Sequence, residues 1–144
     1  MSGTVGNLAN VVTPPYDVIS KEDQARYYER SPYNTIRLEL GYEWLDDTSL
    51  NNRYTRAAAT FAEWRKQDIL RQEAAPSFYL YQQIFRYGGQ SYTRTSLLAR
   101  VRLEPWSTHD ILPHEHTMTK PKDDRLKLLQ ACAANFSPIM SMYD

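Results

Sequence analysis

Gly88-Gly89 stands between two strand-like runs, and no other feature limits the possible folds so strongly. Ser77–Tyr87 before it is rich in Phe and Tyr, and Ser91–Leu103 follows it. Aromatic and β-branched side chains suit a pleated surface, and a two-glycine link tolerates the positive torsions of a tight hairpin turn. The runs are therefore expected to pair antiparallel. Apolar residues fall on both faces, with Phe78, Leu80 and Ile84 opposing Tyr79, Tyr81, Phe85 and Tyr87. One face is expected to meet helices and the other a partner surface or another strand.

Around this hairpin the periodicity switches. Thr13-Pro14-Pro15-Tyr16-Asp17 reads as a stiff extended loop after the short apolar piece Leu8–Val12, because its prolines fix torsions and donate no hydrogen bonds. Ser20, with Asp23 three residues on, is a capping-box-like start for a helix over Lys21–Arg30, which Pro32 closes. Asn34–Leu40 alternates Ile36, Leu38 and Leu40 with Thr35, Arg37 and Glu39, which predicts a half-buried strand ending at Gly41. Helical spacing of Leu50, Tyr54, Ala57, Ala58, Phe61 and Trp64 predicts a long helix from Ser49 to about Gln72. A polar loop spans Glu104–Pro121. Lys122–Ala134 is then expected to be helical through Leu126, Leu129 and Ala133 and to stop at Asn135, and Phe136–Tyr143 is expected to be a short strand. The expected fold is α+β: a mixed, mostly antiparallel sheet of Asn34–Leu40, Ser77–Tyr87, Ser91–Leu103 and Phe136–Tyr143, with helices packed on one face.

The chain has 144 residues, the length of one domain, and 1–144 is taken as a single α+β domain. A final strand running into Tyr143-Asp144 looks like a fragment of something longer. With 42% apolar and 24% charged residues it can build a core, which excludes disordered, collagen-like and coiled-coil classes. No apolar run approaches the roughly 20 residues of a membrane span, and the first ten residues lack the marks of a secretory signal, so a soluble cytoplasmic protein without a membrane partner is expected. Seventeen Lys and Arg balance seventeen Asp and Glu. That excludes a broad electrostatic grip on nucleic acid, and any anion site must be local. The lone Cys132, among Leu129, Ala131 and Ala133, reads as a buried, inert thiol.

Chemistry concentrates late in the chain. His109, His114 and His116 lie within eight residues, and in an extended segment His114 and His116 would point the same way. The spacing is not that of the helical HExxH zinc motif and no acidic ligand is placed, so no metal ligand is assigned; a metal hydrolase stays a third reading. Glu115, between imidazoles and near lysines, is a candidate general base toward a hydroxyl. Lys120 and Lys122 flank Pro121 at a helix start, where cationic side chains and free N–H groups together form a natural anion pocket, phosphate being the obvious guest. The competing reading is that Asp123 and Asp124 satisfy the helix end and the lysines are solvated. Arg37 and Arg94 could clamp phosphate or carboxylate bidentately, or merely pair with Glu39 and Glu104. Asp17 beside Tyr16 could add a carboxylate or belong to the helix entry. No Gly-rich phosphate loop, GxSxG elbow or CxxC pair occurs.

Val12-Thr13-Pro14-Pro15-Tyr16-Asp17-Val18-Ile19-Ser20, Ser31-Pro32-Tyr33-Asn34-Thr35-Ile36-Arg37-Leu38, Pro113-His114-Glu115-His116-Thr117, and Asp124-Arg125-Leu126 through Asn135-Phe136-Ser137-Pro138-Ile139 together resemble the DUF1015 family of bacteria and archaea, nearly end to end. The resemblance implies a longer protein. Family members carry, in their later half, an Asp-Gly-His-His-Arg motif similar to the Gly-His-Arg phosphate-binding element of ParB-like, sulfiredoxin and free-serine kinase proteins. That motif is absent here, as is most of a segment that usually precedes the Pro-Pro-Tyr-Asp block. By this resemblance the chain is an amino-terminal part, its first partner is the remaining carboxy-terminal part of the same protein, and a phosphate- or nucleotide-handling site forms between the His-Glu-His-Thr loop and the missing His-His-Arg loop. His114, Glu115, Thr117, Lys122, Asp124 and Arg125 are the residues it points to.

The function expected from these readings is phosphate or nucleotide binding by a phosphotransferase acting on a small hydroxylated metabolite. Glu115 and His114 would be catalytic, and Thr117, Lys120, Lys122, Asp124, Arg125 and Arg37 would bind the phosphorylated ligand, with a nucleotide and a divalent cation as cofactor candidates. A homo-oligomer is compatible with this. The alternative is a non-catalytic ligand-sensing or protein-interaction module, favoured by eleven tyrosines and the Tyr-rich hairpin.

Overall fold

The computed structural model describes residues 5–112 and 118–141. They form an α+β protein of four helices and one two-stranded sheet: α1 (Lys21–Arg30), α2 (Ile36–Glu39), α3 (Arg53–Lys66), β1 (Tyr79–Tyr87), β2 (Gln90–Leu98) and α4 (Thr119–Cys132), with single 3-10 turns at Leu8–Asn10, Tyr16–Val18 and Trp106–Thr108. The chain divides into two compact units, one of Met1–Arg71 with Thr117–Asp144 and one of Gln72–His116.

In the first unit local chemistry sets the helix starts. The Ser20 hydroxyl accepts from the Asp23 N–H, and acidic Glu22 and Asp23 sit in the first turn of α1, where the dipole favours them. Asn52 opens α3 with a full capping box: its side chain accepts from the Tyr54 and Thr55 N–H groups, and the Thr55 hydroxyl accepts from the Asn52 N–H. The α3 helix therefore begins four residues later than the periodicity predicts. It ends at Lys66, because Asp68 turns left-handed at φ 57° and the N–H groups of Ile69 and Leu70 return to the Trp64 carbonyl. Left-handed Ala133 ends α4 two residues before Asn135.

Two expected strands are not strands. Ile36–Glu39 is one helical turn, with Ile36 and Leu38 both buried, so the alternation came from a short segment enclosed on two sides. Its anchor is Asn34, fully buried: Nδ2 donates to the Asn10 and Val12 carbonyls, Oδ1 accepts from the Ile36 N–H, and the Thr35 N–H bonds the Val11 carbonyl. Those bonds join the amino-terminal segment to the start of α2 and leave no ladder to pair with. Phe136–Ser141 is irregular. Phe136 packs edge-to-face on Phe61 at 5.2 Å, and Pro138 offers no N–H to a sheet. The last two residues of that predicted strand lie outside the described residues.

The core of this unit has two adjoining clusters. Leu38, Trp64 and Ile69 form one; Ala57, Leu128 and Cys132 form the other, and Phe61 and Phe136 pack against both. The sequence reading of Cys132 as a buried thiol holds, and burial pushes its pKa up, away from the reactive thiolate.

The second unit is the hairpin. Tyr79 pairs with Leu98 and the register runs unbroken to Tyr87 opposite Gln90, closed by Gly88 at φ 56° and Gly89 at φ 80°. Two consecutive positive torsions mark a type I′ turn. Every strand residue is exposed except Gln83 and Ser96, which are half-buried. The sheet is thus two strands, not four.

Candidate functional site

Three predicted site residues, His114, Glu115 and Thr117, lie outside the described residues, as does His116. His109 is left-handed at φ 60° and closes the 3-10 turn, its N–H bonded to the Trp106 carbonyl. Among the described residues no three His, Cys, Asp or Glu side chains are grouped to hold a metal ion.

The start of α4 is unlike that of α1 or α3. Met118 stands at its cap position and gives no side-chain hydrogen bond, and its first turn carries no acid. Lys120 and Lys122 are exposed there, with Pro121 between them. Asp124 and Arg125 point elsewhere. The Arg125 guanidinium donates to Glu39 Oε2 at 3.0 Å, to the Glu39 carbonyl at 2.9 Å and to Asp124 Oδ2, and it lies over the Tyr16 ring at 3.8 Å. Asp124 Oδ1 accepts from the Tyr54 hydroxyl at 2.8 Å and pairs with Arg53, whose other nitrogen reaches Glu43 at 3.2 Å. The Ser137 hydroxyl donates to Glu39 Oε2 at 2.6 Å.

This network joins Tyr16 from the proline-rich loop, Glu39 from α2, Arg53 and Tyr54 from α3, Asp124 and Arg125 from α4, and Ser137 beyond it. Carboxylates outnumber cations, since two guanidinium groups face two half-buried carboxylates and Glu43 adds an exposed third. It therefore has no surplus positive charge for an anion, and of the predicted ligand residues on α4 Lys120 and Lys122 are the two with no ion pair among the described residues. Burial works against ionised Asp124, but hydrogen bonds from Arg125 and Tyr54, with the charges of Arg125 and Arg53, outweigh it and hold its carboxyl below the usual range. Burial pushes the Tyr54 hydroxyl up, so it stays a neutral donor.

Arg37 is on a helix, not on a strand face. It donates to the Tyr28 carbonyl at 3.0 Å and lies over the Tyr28 ring at 4.3 Å, while its Nη1 is buried without a partner among the described residues. Tyr28 in turn stacks on Tyr42 at 4.1 Å, so the Arg37 side chain braces α1 against α2. Arg94 bonds Gln83 across the hairpin, and Glu104 pairs with Arg102.

Sequence reasoning did not single out Arg53, Tyr54 or Ser137. One signal was available for Arg53: a cation at the first position of a helix opposes the dipole and calls for a nearby carboxylate.

The first unit is thus a small helical assembly fastened by a polar network of two arginines and three carboxylates, with a lysine-bearing helix start, given no side-chain cap by Met118, next to it in sequence. The chain belongs to the family described as Protein of unknown function (DUF1015), whose model matches residues 3–144. No curated protein and no solved structure matches it. Among the described residues no helix is long and apolar enough to cross a membrane.

Proposed function

We propose that the chain binds the phosphate of a small ligand, a nucleotide or a phosphorylated metabolite, at the start of α4, as the binding part of a phosphotransferase. The observation that supports this reading is the first turn of α4, with no side-chain cap from Met118, no acidic residue and two exposed lysines, following His114, Glu115 and Thr117 in the sequence. In this reading Lys120 and Lys122 neutralise phosphoryl oxygens, and Glu115 takes the proton of an attacking hydroxyl with His114 beside it. Asp124 and Arg125 serve by bracing the second turn of the helix, since their own charges are already matched.

Thermal melting of the protein with inorganic pyrophosphate and with ATP and magnesium tests this. At a ligand concentration of about 100 times Kd, stabilisation of about 2.7 kcal/mol is expected, several degrees in Tm. Lys122→Ala should remove most of the shift without lowering the unliganded Tm, and Glu115→Ala should keep the shift and lose turnover. No shift with any phosphate compound rejects the proposal. A second reading, a non-catalytic interaction module, is favoured by the exposed hairpin; ligand-induced stabilisation without turnover in any phosphoryl-transfer assay would support it.

A further inference from the structure

Much of the polar and aromatic chemistry of the hairpin is already engaged within its own unit. Phe85 stacks on Tyr92 at 5.7 Å, Gln83 Oε1 accepts from Arg94, and the Tyr79 hydroxyl donates to Glu73 Oε1 at 3.0 Å. What stays open is backbone. The two-residue loop makes Tyr87 and Gln90 a hydrogen-bonded pair, and bonded pairs alternate from there, so Leu80, Gln82, Ile84 and Arg86 turn their N–H and C=O groups outward along β1. This edge is nine residues long, with no bulge in its register and no Pro or Lys, the devices that keep edge strands from pairing. Among the described residues of Gln72–His116 none is buried, and a lone two-stranded ribbon is marginal in water.

We propose that β1 pairs antiparallel with β1 of a second copy of this chain, about a twofold axis at Gln83, to make one continuous four-stranded sheet. The order of residues along the strand selects this partner. From Tyr79 to Tyr87 one face carries Tyr, Tyr, Gln, Phe and Tyr, which reads the same from either end except for one hydroxyl. Reversal about Gln83 sets Tyr79 beside Tyr87 and Tyr81 beside Phe85 of the second copy. Those are the non-bonded positions, where side chains approach closest and aromatic cross-strand pairs stabilise a sheet. On the opposite face Arg86, the one charge of the strand, falls beside Leu80 of the second copy and Gln82 beside Ile84, so no like charges meet. The outward residues then bond in pairs, giving about eight hydrogen bonds along a seam of about 30 Å. The other edge does not offer this. Full overlap of β2 with β2 centres on Arg94 and puts two guanidinium groups directly opposite, which is destabilising. Pairing β1 with β2 of another copy would leave an edge free at each end and build an open filament.

Analytical ultracentrifugation of the full chain between about 1 µM and 1 mM reads the association, expected in the micromolar range for so small an interface. Amide exchange at both ends of that range identifies the edge. The N–H groups of Leu80, Gln82, Ile84 and Arg86 should slow at least about tenfold at the high concentration, and those of Ser91, Thr93, Thr95 and Leu97 should not. Gln83→Cys should form a disulfide between copies under mild oxidation, because directly opposite strand positions lie within reach of one, whereas Gln82→Cys, facing Ile84, should not. The wild type, with Cys132 buried, is the control. Ile84→Pro removes only an outward N–H and should raise the dimer Kd at least about tenfold. Circular dichroism checks that this variant keeps the hairpin; if it does not, the wild-type exchange pattern decides alone. A chain that stays monomeric throughout overturns the proposal and leaves the edge to an extended segment of a different protein. So does a dimer whose outward β1 amides exchange as in the monomer, or growth into filaments. Cross-linking of Gln82→Cys as readily as Gln83→Cys overturns the axis at Gln83.

Discussion

Asp124 accepts hydrogen bonds from three side chains on two helices, and its ionised form is what they hold. Because its folded pKa is depressed, its contribution to stability is fully present above the unfolded value, near 3.9, and is lost as pH falls through the lower folded value. Acid titration of Tm should therefore show a decline below about pH 5 that Asp124→Asn flattens. At neutral pH the same variant should lose about 1–2 kcal/mol, less than a fully buried pair would, because its partners are partly exposed. An unchanged acid limb would assign that limb to other carboxylates. At this scale some of the structure was legible. Ser20 announced its own cap, and Cys132 its burial. Asp124 was visible as a charged residue near a helix start, but its partners Arg53 and Tyr54 are seventy-one and seventy residues away in sequence, and no local pattern reports such a pairing.

Among the elements, the hairpin was the most legible, because glycine pairs and alternation act over a few residues. Neither Gly88 nor Gly89 has an atom within 4 Å of where a Cβ would stand, so a substitution there meets only the torsional cost. Gly88→Ala should destabilise the hairpin by about 1 kcal/mol and Gly88→Asn by less, read from amide exchange at Tyr87 and Gln90. Equal effects of the two would point to something other than the positive torsion. The α2 segment shows where period-two reading fails. In a single helical turn, Ile36 and Leu38 can both be buried if the turn is enclosed, and it is Asn34, through bonds to Asn10 and Val12, that encloses it. The helices α1, α3 and α4 were found, with ends displaced by up to six residues at the carboxyl end of α3, where left-handed Asp68 stops the helix before the periodicity does.

For the molecule as a whole, both core clusters are built from residues before Arg71 and after Thr117. Replacing Gln72–His116 with a flexible Gly/Ser linker should therefore leave Trp64 buried, with blue-shifted emission and a cooperative melt close to that of the full chain. Red-shifted emission would show that this core needs the excised segment. Family membership was legible from ordered motif blocks, several of which meet in the polar network through Tyr16, Asp124, Arg125 and Ser137. The interruption of one unit by another also orders events during synthesis. Ladder bonds between near neighbours close in microseconds, so the hairpin is complete while Ala57 and Phe61 still await Leu128 and Cys132. Ribosome-stalled chains ending before Thr119 should thus protect hairpin amides and leave those of α3 exchanging, with its greasy side open to chaperones.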